Sequence, residues 1–135
     1  MIKLIVGEKG TGKTKAMVDM INSVAETTNG NVVVVEKSMK LTYDINHKAR
    51  LIDVEEYKIG SYEALYGFIA GLMAGNYDIT HLFVDGSLKV GGYDLEGFGK
   101  LLTQVDALAG ENVQVTVTVS AQAENLPESV KKYMA

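Results

Sequence analysis

The sequence predicts an α/β domain with a largely parallel sheet, because short apolar segments alternate with longer segments of helical periodicity along the whole chain. Two of the apolar segments, "NVVVVE" at 31–36 and "HLFVDG" at 81–86, are typical of strands that are covered on both faces. The chain of 135 residues is long enough for a sizeable core, so we expect a single domain over residues 1–135.

Five segments are predicted to be strands, which gives a small sheet of four or five strands. They are residues 2–6, 31–36, 51–54, 81–85 and 113–120. In the last segment valine alternates with glutamine and threonine, so we expect one face of that strand to be partly polar and incompletely covered. The strand order stays open at this point: the last strand lies either between the first and the fourth or outside them.

Three long segments and one short segment are predicted to be helices. They are residues 12–28, 61–75 and 94–109, followed by a short helix whose first turn contains Pro127. "SLKVGGY", residues 87–93, is expected to be a loop. Gly67, Gly71 and Gly75 would line one edge of the second long helix. Since a mid-helix glycine costs about 1 kcal/mol relative to alanine, we expect another backbone to approach closely there, within the chain or in a second copy.

Composition argues against several classes of function. The net charge of −4 is unlike that of a general nucleic-acid binder, and the lack of cysteine removes disulfides and thiolate metal sites. The longest apolar stretch, residues 64–75, is shorter than the roughly 20 residues of a membrane-spanning helix. The chain begins with a strand pattern and not with a signal-peptide pattern. We therefore expect a soluble cytoplasmic protein without a membrane span.

The most informative stretch is "GEKGTGKT", residues 7–14, between the first strand and the first helix. It fits the phosphate-binding pattern G-x-x-x-x-G-K-[ST], the Walker A motif, at every fixed position. Glycines let the main chain wrap closely around an anion, so that backbone N–H groups and the positive end of the helix dipole face the phosphates. The predicted nucleotide-binding residues are Gly7, Glu8, Lys9, Gly10, Thr11, Gly12, Lys13 and Thr14.

Two side chains of this motif have predicted chemical roles. The Lys13 ammonium would contact the β- and γ-phosphates, which makes it the predicted catalytic residue. The Thr14 hydroxyl would be a ligand to Mg²⁺. The predicted cofactor is therefore Mg²⁺ together with ATP, although no residue pattern identifies the base.

With these residues the sequence resembles the P-loop NTPases of the ATPase-like branch. The resemblance implies a three-layer fold and a second strand whose terminal acid, the Walker B residue, holds Mg²⁺; "HLFVDG" supplies Asp85. It also implies a polar residue that senses the γ-phosphate at the end of the next strand, where Ser120 stands with Gln122 close behind. Similarity to the twitching-motility and secretion ATPases is limited to the loop and the short core, because their acidic and histidine boxes are not recognisable.

Departures from the family pattern limit what the resemblance implies. ATPase-type members often have a water-orienting glutamate directly after the Walker B residue, whereas this chain has Gly86. Either hydrolysis is slow or another carboxylate acts, and Glu8, Glu36 and Asp94 are candidates by residue type. The guanine-reading N-K-x-D is absent, and Leu88 breaks D-x-x-G, so a GTPase is not expected.

Arginine content separates the remaining alternatives. Nucleoside and nucleotide kinases clamp phosphates with several guanidinium groups, whereas this chain has only Arg50, which leaves at most one arginine finger. We therefore expect ATP binding with weak Mg²⁺-dependent hydrolysis. One alternative is a non-hydrolysing nucleotide-binding switch or scaffold that acts through a protein partner or a homo-oligomer, in which residues 86–93 order when nucleotide binds. The other is a small-molecule kinase.

Overall fold

A computed structural model describes residues 1–37 and 44–134 of the chain. Within these ranges five strands form one sheet. The strands are β1 (Ile2–Gly7), β2 (Asn31–Glu36), β3 (Ala49–Asp53), β4 (Ile79–Asp85) and β5 (Gln114–Ser120). Their order is β1-β5-β4-β2-β3, and each neighbouring pair is parallel. The α/β class and the parallel sheet are confirmed, and β5 lies between β1 and β4.

The helices are α1 (Lys13–Thr27), α2 (Tyr62–Gly75), α3 (Ser87–Val90), α4 (Leu95–Ala109) and α5 (Glu128–Lys131). The three long helices begin and end within about one residue of their predicted bounds. Ser61 caps α2 and Asp94 caps α4, each by accepting a hydrogen bond from a backbone N–H three residues on. None of the helices in the described ranges is long and apolar enough to cross a membrane.

Helix α3 corrects the prediction of a loop at residues 87–93. The first half of this segment forms one helical turn, and Leu88 and Val90 are buried with only 5% of their surface exposed. The loop was predicted because Gly91 and Gly92 are typical of loops. The helical turn forms before them, because Leu88 and Val90 pack into the core.

Helices cover both faces of the sheet. On one face α1 buries Met17 and Ile21 in a cluster with Phe83 of β4. On the other face Leu65 of α2 and Phe98 of α4 belong to the larger cluster. Helices on both faces are expected for a parallel sheet whose strands are apolar on both sides, because they remove those apolar faces from water.

The expectation that β5 has an incompletely covered face is wrong. Thr116 and Thr118 are only 6% and 4% exposed, because β5 is a central strand and α1 contacts it. The polar alternation along β5 therefore has a cause other than solvent exposure, and for Thr118 that cause lies in the candidate site described below.

The glycine edge of α2 does not approach another backbone in the described part of the chain. A Cβ atom on Gly67, Gly71 or Gly75 would meet no heavy atom within 4 Å, and all three residues are exposed. The expectation of close packing within the chain is therefore wrong for the described residues. Packing against a second copy stays a prediction.

Replacing Gly71 by alanine is expected to raise the free energy of unfolding by about 1 kcal/mol, because alanine is the better helix former and its methyl group meets nothing. Urea unfolding measures this change. The matched variant is Gly99→Ala in α4, which should destabilise, since a Cβ there would lie 2.2 Å from Ser129 Oγ. A loss of stability in Gly71→Ala would contradict the open surroundings of Gly71 in the single chain and would indicate a contact with a second copy.

Candidate functional site

The loop between β1 and α1 has the backbone that an anion cup requires. Gly10 and Gly12 have φ angles of 87° and 89°, in the left-handed region that residues with a Cβ rarely adopt. Thr11 closes the turn: its backbone N–H and its hydroxyl both donate to the Glu8 carbonyl, at 3.2 and 2.6 Å. Helix α1 begins directly after Gly12, so the first N–H groups of the helix lie at the loop.

Lys13 is the first residue of α1 and bends back over the loop. Its Nζ donates to the Glu8 carbonyl at 3.1 Å. The ammonium group therefore lies beside the backbone of the loop, and a single side-chain movement would let it contact an anion bound there. Thr14 follows with an exposed side chain.

A cavity of about 860 Å³ opens between this loop and the carboxyl ends of β4 and β5. Its size is within the range of small-molecule and cofactor sites. The predicted site residues that line it are Glu8, Lys9, Gly10, Gly12, Lys13, Thr14, Asp85 and Ser120. Gly7 is the last residue of β1 and Thr11 closes the turn of the loop. These two predicted residues shape the loop but do not line the cavity.

Asp85, at the end of β4, is held by a residue that the sequence did not single out. Thr118 Oγ1 on the neighbouring strand β5 donates to Asp85 Oδ1 at 2.5 Å. Thr118 is only 4% exposed, and both Thr118 and Asp85 line the cavity. A buried hydroxyl that bonds one carboxylate oxygen fixes the orientation of the carboxylate.

The oxygen donors at this cavity fit Mg²⁺. The Thr14 hydroxyl and the Asp85 carboxylate line the same cavity, and Mg²⁺ is commonly held by one or two carboxylates together with waters and substrate phosphates. No group of three or more His, Cys, Asp or Glu residues in the described ranges could hold a metal ion. A Mg²⁺ ion at this position would therefore depend on phosphate oxygens or water for most of its coordination.

Replacing Thr118 by valine is expected to weaken the Mg²⁺-dependent part of nucleotide binding about tenfold, because the Asp85 carboxylate loses the hydroxyl that orients it. Calorimetric titration of nucleotide at several Mg²⁺ concentrations measures this effect. Thr116→Val is the matched control, since Thr116 is buried on the same face of β5 and does not bond Asp85. Equal effects of the two variants would contradict the orienting role.

The three candidate water-orienting carboxylates lie at different positions relative to the cavity. Glu8 lines it, and its Oε1 accepts a hydrogen bond from Gln122 Nε2 at 2.7 Å. Glu36 ends β2 opposite Asp85 in the strand register and is 1% exposed. Asp94 caps α4 and lines a neighbouring cavity instead. Glu8 is therefore the one of these three carboxylates that lines the cavity, whereas Glu36 pairs with Asp85 in the strand register without lining it.

Ser120 and Arg50, two further polar candidates, differ in their positions. Ser120 ends β5, pairs in register with Gly7 and lines the cavity beside the loop. Arg50 is an exposed residue of the edge strand β3 and lines a separate depression near Phe68. Arg50 therefore does not serve the cavity as a finger within its own chain.

A second cavity of about 620 Å³ lies beside the first and shares Lys37 and Lys89 with it. In its wall the Tyr62 hydroxyl donates to the Asp94 carbonyl at 3.0 Å. Burial, and secondarily the Asp94 carboxylate, raise the pKa of Tyr62 to about 12, so this hydroxyl keeps its proton at neutral pH. This cavity could not be predicted from the sequence, because its walls come from separate segments that meet only in the fold.

Comparisons with known proteins do not assign the chain to a family. A scan against protein-family models finds no match, and a search of curated proteins finds no significant match.

Proposed function

We propose that this chain is a small P-loop protein that binds ATP, or another nucleoside triphosphate, with Mg²⁺ at the loop of residues 7–14. The observation that carries the proposal is the cavity that brings Lys13 and Thr14 of the first motif together with Asp85 from a strand 71 residues further along the chain than Thr14. A glycine turn without a function would not require a carboxylate from a distant strand at the opposite wall of the cavity. The left-handed glycines and the start of α1 at the loop add independent support.

Each residue of the site has a role in this proposal. The loop N–H groups, the N-terminus of α1 and the Lys13 ammonium bind the phosphates. Thr14 and Asp85 would hold Mg²⁺, which when bound neutralises phosphate charge and polarises the phosphoryl group. Thr118 orients Asp85. Ser120, which lines the cavity beside the loop, is the proposed sensor of the γ-phosphate.

We propose that hydrolysis is slow. The residue after Asp85 is Gly86, which has a φ of 77° and directly precedes α3. The chain therefore has no carboxylate at the position where ATPase-type members often have a glutamate. Among the described residues, Glu8 and Asp85 are the carboxylates that line the cavity. Asp85 has the metal role and Glu8 is bonded to Gln122, which leaves no carboxylate at the cavity dedicated to orienting water.

A steady-state assay of phosphate release tests the enzymatic part of this proposal. We expect slow turnover that requires Mg²⁺. Glu8→Gln tests whether Glu8 orients water despite its bond to Gln122, because turnover would then fall while nucleotide affinity stays, and Glu36→Gln is the comparison at a carboxylate that does not line the cavity. Tight nucleotide binding without any phosphate release would contradict the ATPase and favour the switch.

A nucleotide switch is the second candidate, and the wall formed by residues 86–93 favours it. Leu88, Lys89 and Tyr93 of this segment line the nucleotide cavity, and the segment continues directly from Asp85. Its backbone is already hydrogen-bonded, for example from the Tyr93 N–H to the Leu88 carbonyl at 2.9 Å. A switch would therefore work by rearranging this wall and not by ordering it. Amide hydrogen exchange of residues 86–93 that differs between the ATP and ADP complexes would support this function.

A further inference from the structure

The second cavity has the dimensions of a ligand site. Its volume of about 620 Å³ is typical of pockets that enclose small molecules. It is formed by the first residues of α2, the first turns of α4 and the Gly91–Gly92 pair that follows α3. Nothing in the proposed nucleotide site uses these surfaces, apart from the two lysines that both cavities share.

The charge of this cavity is opposite to that of the chain. Lys37, Lys89 and Lys100 line it, against the carboxylates of Glu63 and Asp94, whereas the whole chain has a net charge of −4. Within the described ranges none of these three lysines takes part in a salt bridge. Asp94 Oδ1 accepts the Gly97 N–H at 3.2 Å as the cap of α4, so this carboxylate is already engaged. The complementary ligand is therefore an anion.

One wall of the cavity is bare main chain held in a fixed position. Gly91 lies against the ring of Tyr62, where a Cβ would come within 1.9 Å of Cζ, and Gly92 has a φ of 67°. The Tyr62 hydroxyl is bonded to the Asp94 carbonyl, which fixes the ring. A side chain at position 91 would collide with the Tyr62 ring, so Gly91 lets the main chain of this wall pack directly against that ring, and the positive φ of Gly92 favours glycine at the next position.

The cavity adjoins the candidate nucleotide site. Lys37 and Lys89 line both spaces, so these two lysines can contact a ligand in either of them. We propose that this second cavity binds a small, multiply charged anion that bears phosphate or carboxylate groups. This inference goes beyond the proposed function and does not require it, because the cavity, its lysines and its glycine wall exist independently of the loop.

Site-resolved titration tests the inference. ¹⁵N-labelled protein is titrated with pyrophosphate and, separately, with citrate, while the amide signals of Gly91, Gly92 and Gly97 report on the second cavity. We expect these signals to move with at least one of the two anions. In Lys100→Glu the midpoint should rise at least about fivefold, because Lys100 lines only this cavity. Lys48→Glu is the matched control, since exposed Lys48 precedes the amino end of β3 and does not line the second cavity.

The outcomes separate this inference from the proposed function. A larger response to pyrophosphate identifies a phosphate-bearing ligand, and a larger response to citrate identifies a carboxylate-bearing one; both support the inference. The Gly10 and Gly12 amides report on the nucleotide loop in the same spectra, so the loop can fail to respond while the second cavity binds. Unchanged signals at Gly91, Gly92 and Gly97, or equal midpoints in the two lysine variants, would overturn the inference.

Discussion

Replacing Lys13 by alanine is expected to lower the affinity for ATP about 10- to 100-fold. A hydrogen bond to a charged group contributes about 1.5–3 kcal/mol, and the Lys13 ammonium already donates to the loop backbone, at 3.1 Å from the Glu8 carbonyl. Calorimetric titration with ATP in the presence of Mg²⁺ measures the change. Circular dichroism checks the fold, which should be preserved because that hydrogen bond is exposed.

Lys15→Ala is the matched control for this prediction. Lys15 lies on the same helix, two residues further on, and its side chain is 83% exposed beside Asp19. It does not line the cavity. Both variants lose one positive charge near the nucleotide, so an equal loss of affinity would show only a general electrostatic effect and would contradict the specific role of Lys13.

Asp85→Asn is expected to remove most of the gain in ATP affinity that Mg²⁺ provides and to lower any turnover about 100-fold or more. The carboxylate is the proposed anionic ligand to the metal, and metal stabilisation of phosphoryl charge is worth several kcal/mol. The amide oxygen of asparagine can still accept the hydrogen bond from Thr118, so the strand edge should keep its structure. Titrations with ATP in Mg²⁺ and in EDTA measure the difference.

Asp78→Asn controls for the change in charge. Asp78 is exposed and directly precedes β4, so it lies at the opposite end of the strand that Asp85 terminates. It should leave the Mg²⁺ dependence unchanged. If Asp85→Asn behaved like Asp78→Asn, the metal role of Asp85 would be wrong, whether or not the loop binds nucleotide.

The strands and long helices could be predicted because their information is local. Four consecutive valines at 32–35 predict a strand covered on both faces, and β2 is buried along the same stretch. The spacing of the glycines and the lysine in residues 7–14 likewise predicts a loop whose main chain is exposed because few bulky side chains cover it. In both cases the residues that form the structure are neighbours in sequence.

Features that depend on strand order could not be predicted. Thr118 bonds Asp85 across 33 positions of sequence, and it does so because β5 inserts between β1 and β4. The alternation along β5 did mark Thr118 as polar, but the sequence alone could not distinguish a solvent-facing threonine from one that faces a carboxylate. The glycines of α2 show the same limit, because spacing does not reveal whether a helix edge meets a neighbour or solvent.

The lysines of the second cavity illustrate a third limit. Lys37 follows β2, Lys89 belongs to α3 and Lys100 belongs to α4, and no spacing rule connects them. They converge because the carboxyl ends of parallel strands meet at one edge of the sheet and the following segments fold over that edge. The arginine count, which argued against a kinase lid, says nothing about this lysine cluster.

A crystal structure of the chain with Mg²⁺ and a non-hydrolysable ATP analogue would show whether the loop of residues 7–14 binds phosphate. We expect phosphate oxygens within about 3.2 Å of the backbone N–H groups of Gly10, Gly12 and Lys13, with the Lys13 ammonium moved from the Glu8 carbonyl to the phosphates. If the analogue bound elsewhere and residues 7–14 made no phosphate contact, the proposed nucleotide site would be wrong and only the α/β fold would remain.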